Sequence, residues 1–284
     1  MSVVTTKGLR HVYSASTPFE KVAIDDINVE IGHGELLAVI GHTGSGKSTF
    51  IQHLNALLAP SAGTVFVDGE DINADKISRR DVKRKVGLVF QYPEYQLFEE
   101  TVYKDIAFGP QNMKLSSEDI DLRVREAADF VGVDEELFDC SPLELSGGQK
   151  RRVAIAGVIA MRPGVLILDE PTAGLDPAGC QQILDNICRY RRESGSTVII
   201  VSHNMDDVAR IADRVIVFNN GSIAMDGSPG EIFAQPEKLI DMGLDVPHST
   251  LIAMELRRQG IELEGAVHTL DGLVAAILRA KEVG

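Results

Sequence analysis

A glycine-rich loop between an apolar strand and a helix constrains the fold of this chain more than any other stretch. The predicted strand, Leu36 to Ile40, is a continuous apolar run typical of strands buried on both faces of a sheet. It continues without a gap into Gly41-His42-Thr43-Gly44-Ser45-Gly46-Lys47-Ser48, which matches the phosphate-binding pattern G-x-x-x-x-G-K-[ST]. Thr49 to Leu58 reads as the helix that this pattern requires. The sequence therefore predicts an α/β fold that binds a nucleotide.

Each fixed position of this phosphate loop, residues 41–48, has a chemical reason. The glycines allow backbone N–H groups to close around a β-phosphate, and the helix N-terminus that follows favours its negative charge. We expect Lys47 to bridge the β- and γ-phosphates of ATP, and we count Thr49 among the nucleotide contacts. The Ser48 hydroxyl is the expected protein ligand of Mg²⁺.

Polar side chains follow other predicted strands. Val165–Leu168 is followed by Asp169 and Glu170, Thr197–Val201 by Ser202 and His203, and Lys85–Phe90 by Gln91. Because open α/β sheets bind ligands at the carboxyl ends of their strands, we expect these side chains at the nucleotide. Asp169 is suited to holding Mg²⁺, and Glu170 to polarising the attacking water. His203 is expected to donate to the γ-phosphate, and Gln91 to sense the metal or the water.

The stretch Leu145-Ser146-Gly147-Gly148-Gln149 predicts a second anion-binding helix end. Ser146 with Gln149 three residues later is a capping box, so a helix should begin there with its free N–H groups at a glycine-lined end. Lys150, Arg151 and Arg152 follow, where the helix dipole makes cations unfavourable, and we expect something negative to compensate them. The alternative is a well-capped helix with a solvated basic face.

Two groups of aromatic residues have open interpretations. Tyr13 and Phe19 flank the first loop, and Tyr13 is the preferred ring for stacking on adenine, with Phe19 as the alternative. The segment Tyr92-Pro93-Glu94-Tyr95-Gln96-Leu97-Phe98 has no clear period. It is either a loop that buries its own aromatics or a contact surface for another protein.

Composition and charge exclude several classes of protein. Three cysteines without a CxxC pair indicate neither a disulfide framework nor a zinc site, and favour a reducing compartment. The N-terminus lacks the apolar core of a signal peptide, and the longest apolar run, Val153 to Met161, is too short to span a bilayer. We therefore expect any membrane role to come through a partner. The formal charge of −14 disfavours nucleic acid as a partner.

The remaining patterns organise the chain into two predicted domains. Residues 1–238 form the nucleotide-binding domain, in which antiparallel strands near the N-terminus make a β subdomain and residues 92–162 make a helical subdomain. Residues 239–284 form a small helical appendage, with an amphipathic helix opening at His248 and another at Asp271–Lys281. The appendage packs on its own chain, or contributes to dimerisation or a regulatory contact.

Taken together, these motifs resemble the nucleotide-binding domain of an ABC transporter. They are the phosphate loop, Gln91, Leu145–Gln149, Asp169-Glu170, Ala173-Gly174-Leu175-Asp176 and His203, in this order. The resemblance covers about residues 3–235 and implies a P-loop NTPase core with a mixed sheet, an antiparallel β subdomain and a helical ABC-specific subdomain. It also implies an ATP-driven dimer of two cassettes packed head to tail. Ser146, Gly148 and Gln149 of one cassette, with Gly147 in the same motif, then close over the γ-phosphate held by Lys47 of the other. Asp176 belongs to the loop that contacts the partner.

Three stretches are similar to the ATPase subunits of energy-coupling-factor transporters: Thr17–Glu20, Gln91–Phe98 and Gly147–Gly157. Such transporters import vitamins or transition-metal ions through a shared transmembrane subunit and a separate substrate-binding membrane protein. The Thr-Pro-Phe-Glu loop favours the second of their two ATPase subunits and hence a heterodimer, with a homodimer as the alternative. Tyr92 to Phe98 would then receive the transmembrane subunit, with the protein peripheral on the cytoplasmic face of the cell membrane.

Other ATPase classes share parts of this pattern. P-loop kinases have the first motif but no reason for Leu145–Gln149, and translation-associated ABC proteins carry two cassettes. Chromosome-maintenance and repair ATPases insert a long coiled coil or zinc modules between the two motifs. The alternatives are an ATPase of another ABC importer class, a nucleic-acid repair ATPase and a non-catalytic regulatory cassette. The presence of both Glu170 and His203 argues against the last of these.

Overall fold

The structure, a computed structural model, describes residues 2–74, 79–263, 265 and 267–283 and contains two β-sheets. The strands are β1 (Ser2–Tyr13), β2 (Lys21–Gly32), β3 (Leu36–Gly41), β4 (Ala62–Val67), β5 (Glu70–Asp71), β6 (Val86–Val89), β7 (Val165–Asp169), β8 (Thr197–Val201), β9 (Arg214–Asn219) and β10 (Ser222–Gly227). The larger sheet has the order β10-β9-β3-β8-β7-β6, in which β10 is antiparallel to β9 and the other neighbours are parallel. The smaller sheet, β2-β1-β4-β5, is antiparallel. The predicted α/β fold with a mixed sheet and an antiparallel β subdomain is confirmed.

The helices are α1 (Lys47–Leu54), α2 (Arg79–Lys85), α3 (Val102–Asn112), α4 (Ser117–Val131), α5 (Gly147–Ile159), α6 (Pro177–Ser194), α7 (Met205–Ile211), α8 (Pro229–Phe233), α9 (Pro236–Asp241), α10 (His248–Arg258) and α11 (Leu270–Val283). Side-chain caps set several of the starts. Ser116, Ser146 and Asp176 each accept a hydrogen bond from the backbone N–H three residues later. Within the described ranges, no helix combines the length and the apolar character needed to cross a membrane.

The helix after the phosphate loop is shorter than predicted. The pattern predicts a helix through Leu58, but α1 ends at Leu54. Ala56 adopts a left-handed conformation with φ of 55°. The N–H groups of Leu57 and Leu58 both return to the Gln52 carbonyl, at 3.0 and 3.2 Å. This reversal satisfies a carbonyl at the helix end, so the apolar residues beyond it leave the helix although no glycine precedes them.

Both faces of the larger sheet are buried, which explains its continuous apolar strands. In β7 the side chain of Ile167 joins a cluster with α1 and the smaller sheet. Its neighbours Leu166 and Leu168 point to the opposite face and pack with helices α3 to α6. Since adjacent side chains of a strand point to opposite faces, a strand covered on both faces shows no alternation of apolar and polar residues.

The domain boundary predicted after residue 238 remains a prediction. The apolar contacts continue across this position. Leu239, Leu244 and Val246 pack in a third cluster with side chains of β3, β9 and α7. Helices α10 and α11 form a separate small cluster, which contains Ala253, Leu263, Val267, Leu273 and Ala276. The parts of the predicted domains at residues 1, 75–78, 264, 266 and 284 lie outside the described residues.

The buried face of α10 differs from the one that hydrophobicity predicts. Leu251 and Ile252 are exposed, whereas Ser249 and Thr250 are buried. The Thr250 hydroxyl donates to the Val267 carbonyl at 2.8 Å, so this polar group is hydrogen-bonded inside the appendage. Apolar content alone therefore does not identify the buried side of this helix, because Ala253 and Leu256 pack inside the appendage whereas Leu251 and Ile252 do not.

Candidate functional site

The phosphate loop turns sharply between β3 and α1, and its last glycine is required by geometry. Gly46 caps α1 in the left-handed region with φ of 109°. A Cβ at Gly46 would lie 2.6 Å from Cγ2 of Ile24 and 2.8 Å from the carbonyl oxygen of Ala23. No other residue type fits this close approach of the loop to β2.

Several polar groups of the loop are arranged for an anion. The buried Lys47 turns back on the loop, where its Nζ donates to the carbonyls of Gly41 at 2.6 Å and His42 at 3.1 Å. Burial lowers the pKa of Lys47, and the charges of Glu170 and Asp169 oppose that shift. The Ser45 hydroxyl is buried without a hydrogen-bond partner among the described residues. These groups, with an α1 N-terminus that has no acidic residue in its first turn, favour a bound phosphate.

Glu170 lies at the centre of the polar side chains that the parallel strands deliver. The Gln91 side-chain amide donates to Glu170 Oε2 at 2.9 Å, and His203 Nε2 lies 2.9 Å from Glu170 Oε1. Glu170 has φ of 50°, an uncommon conformation for a residue with a side chain. Its backbone N–H still donates to the Val201 carbonyl at 2.9 Å, so the β7–β8 hydrogen bonding extends one residue past the strand. A strained backbone held by its neighbours is typical of a functional residue.

Asp169 carries a buried carboxyl group beside this arrangement. Burial raises the pKa of Asp169 to about 6; the charge of Glu170 adds to the rise and that of Lys47 opposes it. Two adjacent carboxylates with one nearby ammonium leave excess negative charge, which a divalent cation would neutralise. Among the described residues, no cluster of three or more His, Cys, Asp or Glu side chains could hold a metal ion by itself.

Tyr13 lies at the phosphate loop and Phe19 does not. Tyr13 lines a cleft of about 150 Å³ together with residues of β2 and of the loop: Lys21, Ala23, Gly44, Gly46, Lys47, Ser48 and Thr49. The Tyr13 hydroxyl is 3.2 Å from the Thr49 hydroxyl. Phe19 is 83% exposed on the loop between β1 and β2. The structure thus favours Tyr13 as the ring nearer to a nucleotide in this loop.

Two histidines that we had not predicted support Tyr13. The ring of His11 meets that of Tyr13 edge-on, with centroids 4.5 Å apart, and its Nδ1 lies 3.1 Å from Nε2 of the buried His53. His53 Nδ1 donates to the Thr49 carbonyl at 2.7 Å, so its Nε2 accepts a hydrogen bond from His11. Burial lowers the pKa of His53, which favours its neutral form. No single residue in the sequence pointed to this contact, because it joins β1 to α1.

The Ser146 motif lies at the exposed start of α5. The capping box is complete: the Ser146 side chain accepts from the Gln149 N–H at 3.3 Å, and Gln149 Oε1 accepts from the Ser146 N–H at 2.9 Å. A Cβ at Gly147 would meet no atom within 4 Å, so the helix end is open to a second molecule. Asp176 caps α6 by accepting from the Gly179 N–H at 3.1 Å.

The fold and the site together define an ATP-binding cassette. The sequence profile described as "ABC transporter" matches residues 24–173. The chain belongs to the ABC transporter family and is an ATP hydrolase. The energy-coupling factor transporter ATP-binding protein EcfA2 of Clostridium perfringens (strain 13) is 55% identical to it over 276 residues, 97% of each chain. Within the ABC transporter family, the chain therefore belongs to the ATP-binding subunits of energy-coupling factor (ECF) transporters.

The solved structure of cbiO1 from Clostridium perfringens, described as part of the ABC transporter complex cbiONQ, superposes with a TM-score of 0.76. It is 39% identical and covers 89% of this chain and 99% of its own. The ATP-binding cassette MJ0796, solved as a dimer in a post-hydrolysis state with ADP and Pi, has a TM-score of 0.71 at 27% identity, covering 80% of this chain and 98% of its own.

The raised pKa of Asp169 predicts how stability changes with pH. Its carboxyl has a pKa of about 6 in the folded protein and an ordinary pKa of 3.8 in the unfolded chain, so the folded state holds the proton more tightly. This contribution to stability is complete below pH 3.8 and is lost as the pH rises through 6. We expect Asp169→Asn to raise the free energy of unfolding at pH 7 by up to about 3 kcal/mol in nucleotide-free protein.

Denaturant unfolding of both proteins at pH 7 and near pH 4 checks this. The gain should shrink toward the acidic end, where wild-type Asp169 is protonated as well. An equal increase in the free energy of unfolding at both pH values would show that Asp169→Asn acts through packing and not through charge.

Proposed function

We propose that this chain hydrolyses ATP in an interface that it forms head to tail with a second ATP-binding subunit. The observation that carries the proposal is the separation of two complementary sites. Glu170, with Gln91 and His203, lies beside the phosphate loop, whereas the open helix end at Ser146 belongs to the helical subdomain. A γ-phosphate bound by the loop of one subunit would lie against the helix end of the other. The dimeric state of MJ0796 supports this arrangement.

Within one subunit, each polar side chain has a distinct role in this proposal. Lys47 turns from the loop carbonyls to the β- and γ-phosphates. Glu170 accepts a proton from the attacking water, and its contacts with Gln91 and His203 aim its carboxylate. His203 donates a hydrogen bond to the γ-phosphate. Tyr13 stacks on adenine, and Gly41 to Thr49 surround the phosphates.

Mg²⁺ fits the residues beside the phosphate loop. Ser48 would supply a hydroxyl ligand, Asp169 would hold the ion directly or through water, and Gln91 would contact it. The adjacent carboxylates of Asp169 and Glu170 favour a cation there; burial raises the pKa of Asp169 to about 6, and the charge of Glu170 adds to the rise. When bound, Mg²⁺ neutralises charge on the β- and γ-phosphate oxygens.

The partner's contribution comes from the open helix end. Ser146, Gly148 and Gln149, with Gly147 in the same turn, close over the γ-phosphate held by the other subunit, and Asp176 lies at the same interface. The Thr17–Glu20 loop favours a heterodimer of two related ATPase subunits over a homodimer. ATP binding then drives closure, because each nucleotide is in contact with both subunits.

A transmembrane coupling subunit would bind beside the segment Tyr92–Phe98. Tyr95 and Phe98 are 85% and 65% exposed, so this segment does not bury its own aromatics. It borders a groove of about 460 Å³ whose apolar lining includes Leu97, Phe98, Phe108, Gly109, Val153, Gly157 and Met161. A concave apolar surface next to exposed aromatics is typical of a protein contact.

In this proposal the chain is peripheral on the cytoplasmic face of the cell membrane. The imported compound, a vitamin or a transition-metal ion, is recognised by a separate membrane subunit that this chain contacts only indirectly. The membership of cbiO1 in a transporter complex supports such an assembly. Nucleic acid is not a partner, in keeping with the charge of −14.

Glu170→Gln tests the role of the carboxylate. Because this change removes the proton acceptor and preserves the shape of the side chain, we expect turnover to fall at least about a hundredfold with little change in ATP affinity. Steady-state ATPase assays and ATP titration measure the two quantities separately. The matched variant Glu118→Gln, which changes an exposed glutamate of α4, should keep wild-type turnover. Unchanged turnover in Glu170→Gln would reject the assignment.

Ser146→Arg tests the shared interface. The larger cationic side chain would fill the space for the γ-phosphate, so ATP-dependent dimerisation should be lost while each subunit still binds ATP. Sedimentation velocity with ATP and Mg²⁺ measures this. Ser117→Arg, at an exposed serine of α4, adds the same charge and should dimerise normally. Dimerisation of Ser146→Arg at the wild-type ATP concentration would contradict the arrangement.

Tyr13→Ala tests the stacking ring. Loss of one aromatic contact should weaken ATP binding by about 2- to 12-fold, the range that ring–ring contacts provide. Phe19→Ala is the control and should bind ATP as the wild type does. Calorimetric titration with ATP distinguishes the two rings, and a larger loss in Phe19→Ala would reverse the assignment.

A further inference from the structure

Arg151 is a buried cation near the start of α5, where the helix dipole makes it unfavourable. Its side chain is only 3% exposed, and it lies in the second turn of a helix that begins at Gly147. A buried charge persists in a folded protein when its hydrogen-bonding groups are satisfied. The partners of Arg151 therefore reveal what keeps it inside.

The Arg151 guanidinium joins two segments that are distant in sequence. Its Nη2 donates to Glu94 Oε1 at 3.1 Å and its Nε to Glu94 Oε2 at 3.3 Å, a two-point contact with the carboxylate. On its other edge, Nη1 donates to the carbonyl of Pro171 at 3.4 Å and to that of Ala173. One side chain thus ties the segment 92–98 to the backbone that directly follows Glu170.

Arg151 connects the segment 92–98 to the loop after β7. Gln91, the residue before this segment, contacts Glu170 directly. Gln91 donates to Glu170 Oε2 at 2.9 Å, and Glu94 reaches Pro171 and Ala173 through Arg151. Glu94 lies in a short 3-10 helix, Pro93–Gln96, that also carries the exposed Tyr95. A molecule that binds Tyr95 and the groove would therefore act on a segment that is tied to Glu170 through Gln91 and to the backbone after Glu170 through Arg151.

We propose that Arg151 is a positioning residue that transmits displacement of the segment 92–98 to the loop 170–175, so that a bound membrane subunit adjusts the place of Glu170. This inference rests on the proposed function for the identity of that partner. The linkage itself is contained within this chain. Lysine could not replace Arg151, because its single ammonium cannot reach a carboxylate on one side and two carbonyls on the other.

The first experiment measures the linkage in the full chain alone. Glu94→Gln weakens only the segment's side of the contact and leaves Arg151 with its carbonyl partners. We expect the backbone amides of Ala173 and Leu175, in the loop after Glu170, to exchange with solvent deuterium about 2- to 12-fold faster, the effect of weakening one hydrogen-bonded contact. Glu100→Gln removes the same charge from an exposed pair with Lys104 and should leave this loop unchanged.

The second experiment measures coupling in the complex. The tagged chain is purified from detergent-solubilised membranes with its partner subunits, and ATPase activity is compared with that of the ATPase subunits alone. In Glu94→Gln the stimulation of kcat by the membrane subunits should fall about 2- to 30-fold, the span of single-residue coupling effects, with the KM for ATP unchanged. The double variant Glu94→Met/Arg151→Met also removes the donor to the carbonyls of Pro171 and Ala173, so it should lose at least as much stimulation and also have a lower thermal stability.

Two results would overturn the linkage. One is wild-type exchange in the loop 170–175 of Glu94→Gln. The other is a drop of kcat by the same factor with and without the membrane subunits, which is what a purely structural role for Arg151 predicts. If wild-type protein shows no stimulation by membrane subunits, the proposed function is what fails, and the exchange measurement alone then decides whether the linkage exists.

Discussion

The hydrogen bonding between parallel strands β3, β8 and β7 is the interaction on which the site depends. Val39 and Asp169 both align with Val201 in the register of this sheet. The same register places the ends of the three strands, and so the phosphate loop, Glu170 and His203, at one edge. Glu170 continues this bonding through its N–H to the Val201 carbonyl. The arrangement of polar side chains around Glu170 is thus an extension of the sheet, and backbone contacts position it.

The same geometry concentrates charge where water is scarce. Asp169 and Lys47 are both buried, and Glu170 lies beside them. Burial raises the pKa of the Asp169 carboxyl and lowers that of the Lys47 ammonium, so each group holds its charge less readily than in water. A nucleotide with a divalent cation would supply the opposite charges to both groups. The burial of these two charges therefore lowers the folding stability of the ligand-free protein and favours a ligand that neutralises them.

The cations near the start of α5 also depend on the groups that surround them. The sequence indicates that Lys150, Arg151 and Arg152 need compensation near a helix N-terminus, and the first expectation is an external anion. For Arg151 the compensation is internal, in the carboxylate of Glu94 and the carbonyls after Glu170. Arg152 instead reaches the Gln182 side chain at 3.4 Å. The helix end at Ser146 thus remains open, and the buried cation connects two parts of the cassette.

The residue types alone specify the local chemistry of this protein and the order of its motifs along the chain. The phosphate loop, the capping residues Ser146 and Asp176 and the apolar strands were readable because short-range geometry dictates their residue types. Tertiary structure alone decided which distant groups meet: Glu94 with Arg151, His11 with His53, and the serine and threonine of α10 inside the appendage. These contacts join segments far apart in sequence, where no spacing rule applies. Their partners are selected by packing, which acts only once the chain has folded.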